Sequence, residues 1–289
     1  MTAVLPELDV LAGRARQARR LVVDMAASPT GCHLGGGLSV MDILIAALDR
    51  AARDATEVVL SKGHAAAALY AALHVSGVLE ENPAPHYGRA GQPYTGHPGP
   101  KVPGVRFPTG SLGHGVPYAV GWALALRLRG VHSGAGVPPG SGAGVPPGSG
   151  AGVPPGPGLG IAVTGDGELQ EGLVWESLQV AAAQRIGNFV LVVDANGGQN
   201  DGYVADISPL PELPARFAAF GFEVAEVDGH DLAALRDVLA PDRAGATRPM
   251  AVVAHTVKGK GVPAVEGRAA AHYVTITPLR AQQWKKAMT

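Results

Sequence analysis

From residue 8 onward, apolar positions recur at helical spacing. Leu8, Leu11, Ala15, Ala18, Leu21, Val22 and Met25 share one stripe, with Arg14, Arg16, Arg19 and Arg20 on other faces. This predicts an amphipathic helix over 8–26. The glycine-rich run SPTGCHLGGG reads as a break. Ser39, with Asp42 three residues on, has the spacing of a capping box for an apolar helix through Ala47. Val58–Leu60 reads as a strand, Ser61-Lys62-Gly63-His64 as a tight loop, and the alanine-rich stretch after it as a helix. Residues 82–117 are rich in Pro and Gly, carry His86, His97 and His114, and show no period. A long irregular segment of this kind is functional or disordered. A helix is expected from about Pro117 to Arg129. The octapeptide SGAGVPPG then repeats in tandem at 133–140, 141–148 and 149–156. It is uncharged and has little to bury, so residues 132–158 are expected to form a flexible insertion without a catalytic role.

After the repeat, strand and helix alternate. Ile161–Thr164, Phe189–Asp194, Glu223–Val227 and Met250–Ala254 are short apolar strands; Leu173–Arg185, Glu212–Phe220 and Leu232–Leu239 are helices. Near-continuous apolar strands separated by helices predict an α/β fold, a mostly parallel sheet with helices on both faces. Residues 1–289 are read as one domain. Ligands of such sheets bind at the carboxyl ends of the strands, so the chemistry belongs in the loops after them.

Bulk properties narrow the function. The chain has 289 residues, 46% hydrophobic and 16% charged, with a formal net charge of −1. That balance gives no electrostatic support for nucleic acid or an anionic membrane as partner. No apolar run approaches the roughly 20 residues of a membrane helix, and MTAVLPELDV is not a secretory signal. A single cysteine, Cys32, excludes an internal disulfide framework. The expectation is a cytoplasmic protein.

Two strand ends carry the chemistry. Gly165-Asp166-Gly167 follows the Ile161–Thr164 strand, and Asn196 follows the Phe189–Asp194 strand. One crossover helix fits between them, so the two loops should lie side by side. A carboxylate, an amide oxygen and a backbone carbonyl form a hard half-shell that suits Mg²⁺ or Ca²⁺ with phosphate oxygens completing it. The glycines let backbone approach a diphosphate. Alone, Asp166 could equally be a helix cap.

Here the chain resembles a known family. GDGELQEG, followed one helix later by VDANGGQNDG, resembles the thiamine diphosphate motif. By that resemblance Asp166, Asn196 and the carbonyl of Gly198 hold a divalent metal (Mg²⁺, or Ca²⁺ or Mn²⁺), while Gly165 and Gly167 approach the diphosphate. Four further segments resemble transketolases in the right order. SPTGCHLGGGLSVMDIL implies a substrate-facing His33. LSKGHAAAALYAAL implies His64 near the diphosphate. GHPGPKVPGVRFPTGSLGHG implies a loop over the cofactor with His97, Gly110, Leu112 and His114. HTVKGKGVPAVE with AAHY implies Lys258 at the cofactor and His272 at the substrate. Glu171 falls where the family has an acid at the interface between two cofactor sites. His33, His97 and His272 are the implied catalytic residues, imidazoles whose unperturbed pKa lies near neutrality. The chain departs from the family at Cys32 and Leu34, in the polar NGGQNDG loop, at His255 and at Tyr273.

After a short helix, LRAQQWKKAM, no second α/β unit follows. The resemblance therefore implies the N-terminal, diphosphate-binding subunit of a split transketolase. A separate C-terminal subunit, with the pyrimidine-binding and C-terminal domains, would complete an α₂β₂ enzyme. That enzyme would move a two-carbon ketol unit between sugars or sugar phosphates. A split enzyme of 2-keto acids and a non-catalytic regulatory homologue remain as alternatives.

Overall fold

The computed structural model describes residues 7–133 and 158–288. The repeats, and with them all but the ends of the expected 132–158 insertion, lie outside the described residues. The first helix, α1 (Leu8–Ala26), is the one the periodicity predicts. The glycine-rich run is a different matter. It does not only break α1; it contains a short helix, α2 (Leu34–Ser39), with Gly35, Gly36 and Gly37 inside it and buried. The cause is crowding. A Cβ on Gly35 would lie 2.4 Å from the carbonyl oxygen of Ala271. Gly35 is there for close approach, not for breaking the chain.

The capping-box expectation also fails. α3 (Met41–Ala51) starts after Ser39 and has no side-chain cap. Ser39 is spent elsewhere, donating from Oγ to Asp194 Oδ2 at 2.6 Å. Asp42 is buried and receives Arg19 Nη1 at 3.1 Å, with His230 Nδ1 at 2.8 Å. Tertiary partners outcompete the local motif for both residues.

The remaining elements are β1 (Glu57–Leu60), α4 (Ala66–Val75), α5 (Gly115–Ser133), β2 (Gly160–Gly165), α6 (Gly172–Ala183), β3 (Phe189–Ala195), α7 (Val204–Ile207), α8 (Leu213–Ala219), β4 (Glu223–Asp228), α9 (Leu232–Leu239), β5 (Met250–His255) and α10 (Pro278–Ala287). The strands form one sheet in the order β1-β2-β3-β5-β4, parallel at every pairing. Alternate residues feed two cores. Ile161, Val163, Val190 and Val192 pack with α1, α3 and α4 on one face. Ala162, Phe189, Leu191 and Val193 pack with α5, α6 and α8 on the other. Each of these valine, leucine, isoleucine and phenylalanine side chains, 0–1% exposed, contributes roughly 1.5–3 kcal/mol by leaving water. Between α4 and α5 the chain runs without helix or strand, as the Pro and Gly content predicted. Among the described residues no helix is long and apolar enough to cross a membrane.

This architecture places the carboxyl ends of four neighbouring strands, β1, β2, β3 and β5, along one edge. Ser61, Asp166, Asn196 and Thr256 each follow one of them within a residue.

Candidate active site

A cleft of about 380 Å³ opens at that edge, walled by residues from all four strand ends. Asp166 sits where β2 meets a 3-10 turn. Its Oδ1 accepts from the Gly167 amide at 2.9 Å and its Oδ2 from the Gly197 amide at 2.6 Å. The β2 and β3 loops are thus bonded to each other, as the spacing predicted. Asn196 donates from Nδ2 to Ser39 Oγ at 3.1 Å and to Asp194 Oδ2 at 3.2 Å. With Nδ2 so committed, Oδ1 faces the loop and accepts from the Gly198 amide at 3.0 Å. Burial, with the nearby charge of Asp194 adding to it, pushes the Asp166 carboxyl up to about 6.

The donor set fits a hard cation. Among the described residues no group of three or more His, Cys, Asp or Glu gathers that could hold a metal. The chain instead offers one carboxylate, one amide oxygen and backbone carbonyls beside small glycines, a half-shell that a ligand's phosphate oxygens complete. Gly165, Asp166, Gly167, Asn196 and Gly198 all border the cleft.

Beneath them lies a network to which the motifs do not point. The Asp194 side chain is 0% exposed. Its Oδ2 accepts from Lys62 Nζ at 2.6 Å and from Ser39 and Asn196, and its Oδ1 accepts from Thr256 Oγ1. Lys62 also donates to the carbonyl of Gly36 at 3.2 Å. The signal was present: an Asp closing an otherwise apolar covered strand is buried only if paired, and the SKGH loop held a cation. Glu168, 2% exposed, is the other omission. Burial raises its carboxyl against the pull of Ser61 and two backbone amides.

The imidazoles gather as predicted. The His33 ring centre lies 5.2 Å from His64, 6.2 Å from His97 and 5.1 Å from His272. Tyr273 stands at the rim, 4.8 Å from His33 and edge-on. His33 Nδ1 is buried and unpartnered among the described residues. One expectation fails. The near-neutral pKa assumed for His33 and His272 does not hold, because burial and neighbouring charges hold both down at about 4, as they hold His64 at about 2. They are neutral imidazoles at pH 7. Lys258 donates to the Gln199 carbonyl at 3.0 Å and lies 3.4 Å from His272 Nδ1; burial lowers its ammonium to about 8.

Not every predicted residue lines the cleft. Gly110, Leu112 and Glu171 do, Glu171 from the exposed start of α6. His97 joins only through the imidazole cluster and by packing on Gly110. His114 is exposed, its Nδ1 3.3 Å from the Leu112 carbonyl.

A parallel sheet whose adjacent strand ends bring Asp, Asn and glycine backbone to one cleft has the layout of an α/β cofactor-binding domain. The chain belongs to the transketolase family, matching its thiamine diphosphate-binding domain over residues 13–133 and 159–288. It is 33% identical over 276 residues to an apulose-4-phosphate transketolase subunit of Actinobacillus succinogenes, covering 92% of this chain and 91% of that one. It is 29% identical to the 6-deoxy-6-sulfo-D-fructose transketolase subunit from a Clostridium species, covering 89% of this chain and 86% of that one. Among solved structures, the transketolase of Campylobacter jejuni superposes with a TM-score of 0.78 at 27% identity, over 97% of this chain but only 43% of its own.

Proposed function

We propose that this chain is the cofactor-holding subunit of a split transketolase that moves a two-carbon ketol unit from a ketose to an aldose with a second, separate chain. The observation that carries this is the joined pair of strand-end loops, in which Asp166 and Asn196 flank one gap beside glycine backbone. The relatives named as subunits, which this chain matches over nearly their whole length, support the separate partner. In this reading two such cofactor sites meet at Glu171 in an α₂β₂ assembly.

In this proposal Asp166, Asn196 and the Gly198 carbonyl hold Mg²⁺, and Gly165 and Gly167 admit the diphosphate. Lys258 offsets its charge, and Gly110 and Leu112 cover it. His64 lies at its edge, while His114 and Glu171 face the neighbouring chain. Thiamine diphosphate, when bound, supplies the electron sink that carbon–carbon cleavage beside a carbonyl needs. The chain's own part is recognition. His33, His97 and His272 cluster, with His33 and His272 held neutral, and donate and accept hydrogen bonds with the hydroxyls of the sugar. His33 Nδ1, buried and unpartnered, is the atom with most to gain from a hydroxyl. The polar cluster fits a polyhydroxylated ketose better than a simple 2-keto acid. The identity of the sugar is left to experiment: phosphorylated and unphosphorylated ketoses are both candidates.

The test mixes this chain with its partner, thiamine diphosphate and Mg²⁺, and screens ketose donors against aldose acceptors. Two-carbon transfer is expected only from the mixture. Full activity from this chain alone, or activity restricted to 2-keto acids, would overturn the proposal.

A further inference from the structure

Glu168 ties together three segments that surround the cleft. Its Oε1 accepts from Ser61 Oγ at 2.5 Å and from the Gly113 amide at 2.7 Å. Its Oε2 accepts from the Gly165 amide at 3.3 Å. Ser61 follows β1, Gly165 ends β2 beside Asp166, and Gly113 lies in the loop 109–115 that brings Gly110 and Leu112 to the cleft.

That loop is tied at its start, where Thr109 Oγ1 donates to the Leu60 carbonyl at 2.8 Å, but beyond that point it has weak support of its own. The bonds from the His114 amide to Ser111 and from the Val116 amide to Gly113 are 3.4 and 3.3 Å long. Gly113 has φ +85°, a conformation that other residues seldom adopt. Gly115 packs on Ser61 so closely that a Cβ would come within 2.7 Å of its Cα. Position here depends on fit, and fit depends on an anchor. A buried carboxylate is a costly anchor unless its oxygens are satisfied. Here three donors satisfy them. An apolar side chain would fill the same space without that cost but would leave the Gly113 amide buried and unmet.

We infer that Glu168 is a positioning residue of the cofactor cleft: its carboxylate braces loop 109–115 against the ends of β1 and β2, so that Gly110 and Leu112 stand preformed above the Asp166 turn. This rests on the cofactor role proposed above. The role of the carboxylate is reach rather than charge. Glutamine at this position keeps an acceptor for Ser61 and Gly113, while its Nε2 replaces the acceptor of the long Gly165 bond with a donor, so the strain of the exchange falls on that one weak contact. Aspartate keeps the charge but is one methylene too short to span Gly113 and Gly165 together.

The experiment compares wild type with Glu168→Gln, Glu168→Asp and Glu168→Ala in the full chain with its partner. One readout is hydrogen exchange over residues 109–115. The other is calorimetry with thiamine diphosphate and Mg²⁺. The Gln variant is expected to keep loop protection and to bind within about threefold of wild type. The Asp and Ala variants are expected to lose loop protection and roughly tenfold or more in affinity, the scale of a lost hydrogen bond to a charged group. Should the Ala variant fail to fold, the Gln and Asp pair decides. A charge role is indicated, and the inference overturned, if Asp rescues and Gln does not. It is also overturned if all three variants keep wild-type exchange in the loop. If wild type itself binds no thiamine diphosphate, the cofactor proposal falls instead, and the exchange pattern alone decides whether the brace exists.

Discussion

Replacing Lys62 by methionine should cost this fold more than its single hydrogen-bonded ion pair suggests. Lys62 Nζ stands 2.6 Å from Asp194 Oδ2, and the two side chains are 2% and 0% exposed. Methionine fills most of the volume but leaves Asp194 as a buried charge without its counter-ion. Breaking one side of a buried pair costs about 3–5 kcal/mol. Ser39, Asn196 and Thr256 still donate to Asp194, which places the loss near the lower end, about 3 kcal/mol. For a domain of this size that is a fall in melting temperature of roughly 6–12 °C. Thermal and urea unfolding of Lys62→Met, Asp194→Asn and the double variant measure it. The double variant should be less destabilised than the two singles together by at least about 1.5 kcal/mol, because removing both partners leaves no orphan charge. A melting temperature within about 2 °C of wild type for Lys62→Met, or strict additivity, would refute the view that Asp194 is held by Lys62.

Two further effects follow from the geometry. Glu57, buried beside Arg106 Nε at 3.0 Å, has its carboxyl raised to about 7 by burial, which outweighs the arginine. A raised carboxyl favours the neutral form in the folded state, so its contribution is fully present below about pH 4.5 and is lost as pH rises through 7. Glu57→Gln should therefore be more stable than wild type at pH 8, by up to about 3 kcal/mol, with the gap closing by pH 5; denaturant melts at the two pH values check it, and a gap that widens on acidification would contradict it. Gly35→Ala would set a Cβ 2.4 Å from the Ala271 carbonyl. It should cost about 1–3 kcal/mol and shift His272, seen as a lowered melting temperature together with weaker donor-sugar affinity.

Most of the architecture was legible because its period was strong. The strands from Ile161, Phe189 and Met250 are covered on both faces, so each reads as a plain apolar run. The strand boundaries moved by a residue or two, within the usual fraying of element ends, while the helices expected to stop at Ala47 and Arg129 run four residues further, to Ala51 and Ser133. What the sequence concealed was long-range. Ser39 and Asp42 carried a sound local motif, but Asp194, Arg19 and His230 claimed their side chains from 23 to 188 positions away. The triple glycine read as a break because nothing in the local sequence announces that Ala271 will press against Gly35. Asp166, Asn196, His33, His64 and His272 line the cleft and were legible as candidates because they follow strands or sit in recognisable segments. Lys62, Asp194 and Glu168 were passed over because their importance lies in pairing, which one-dimensional spacing does not display. The imidazole protonation was misjudged for the same reason: burial and neighbouring cations set it.

In the proposed site Asp166 and Asn196 grip one cation that in turn grips a pyrophosphate. Calorimetric titration of thiamine diphosphate into the chain with its partner, with Mg²⁺ and then with chelator, tests it most directly. Binding should require the metal and should vanish in Asp166→Ala while the fold persists by circular dichroism. Binding that ignores the chelator, or an Asp166→Ala variant with wild-type affinity, would contradict it.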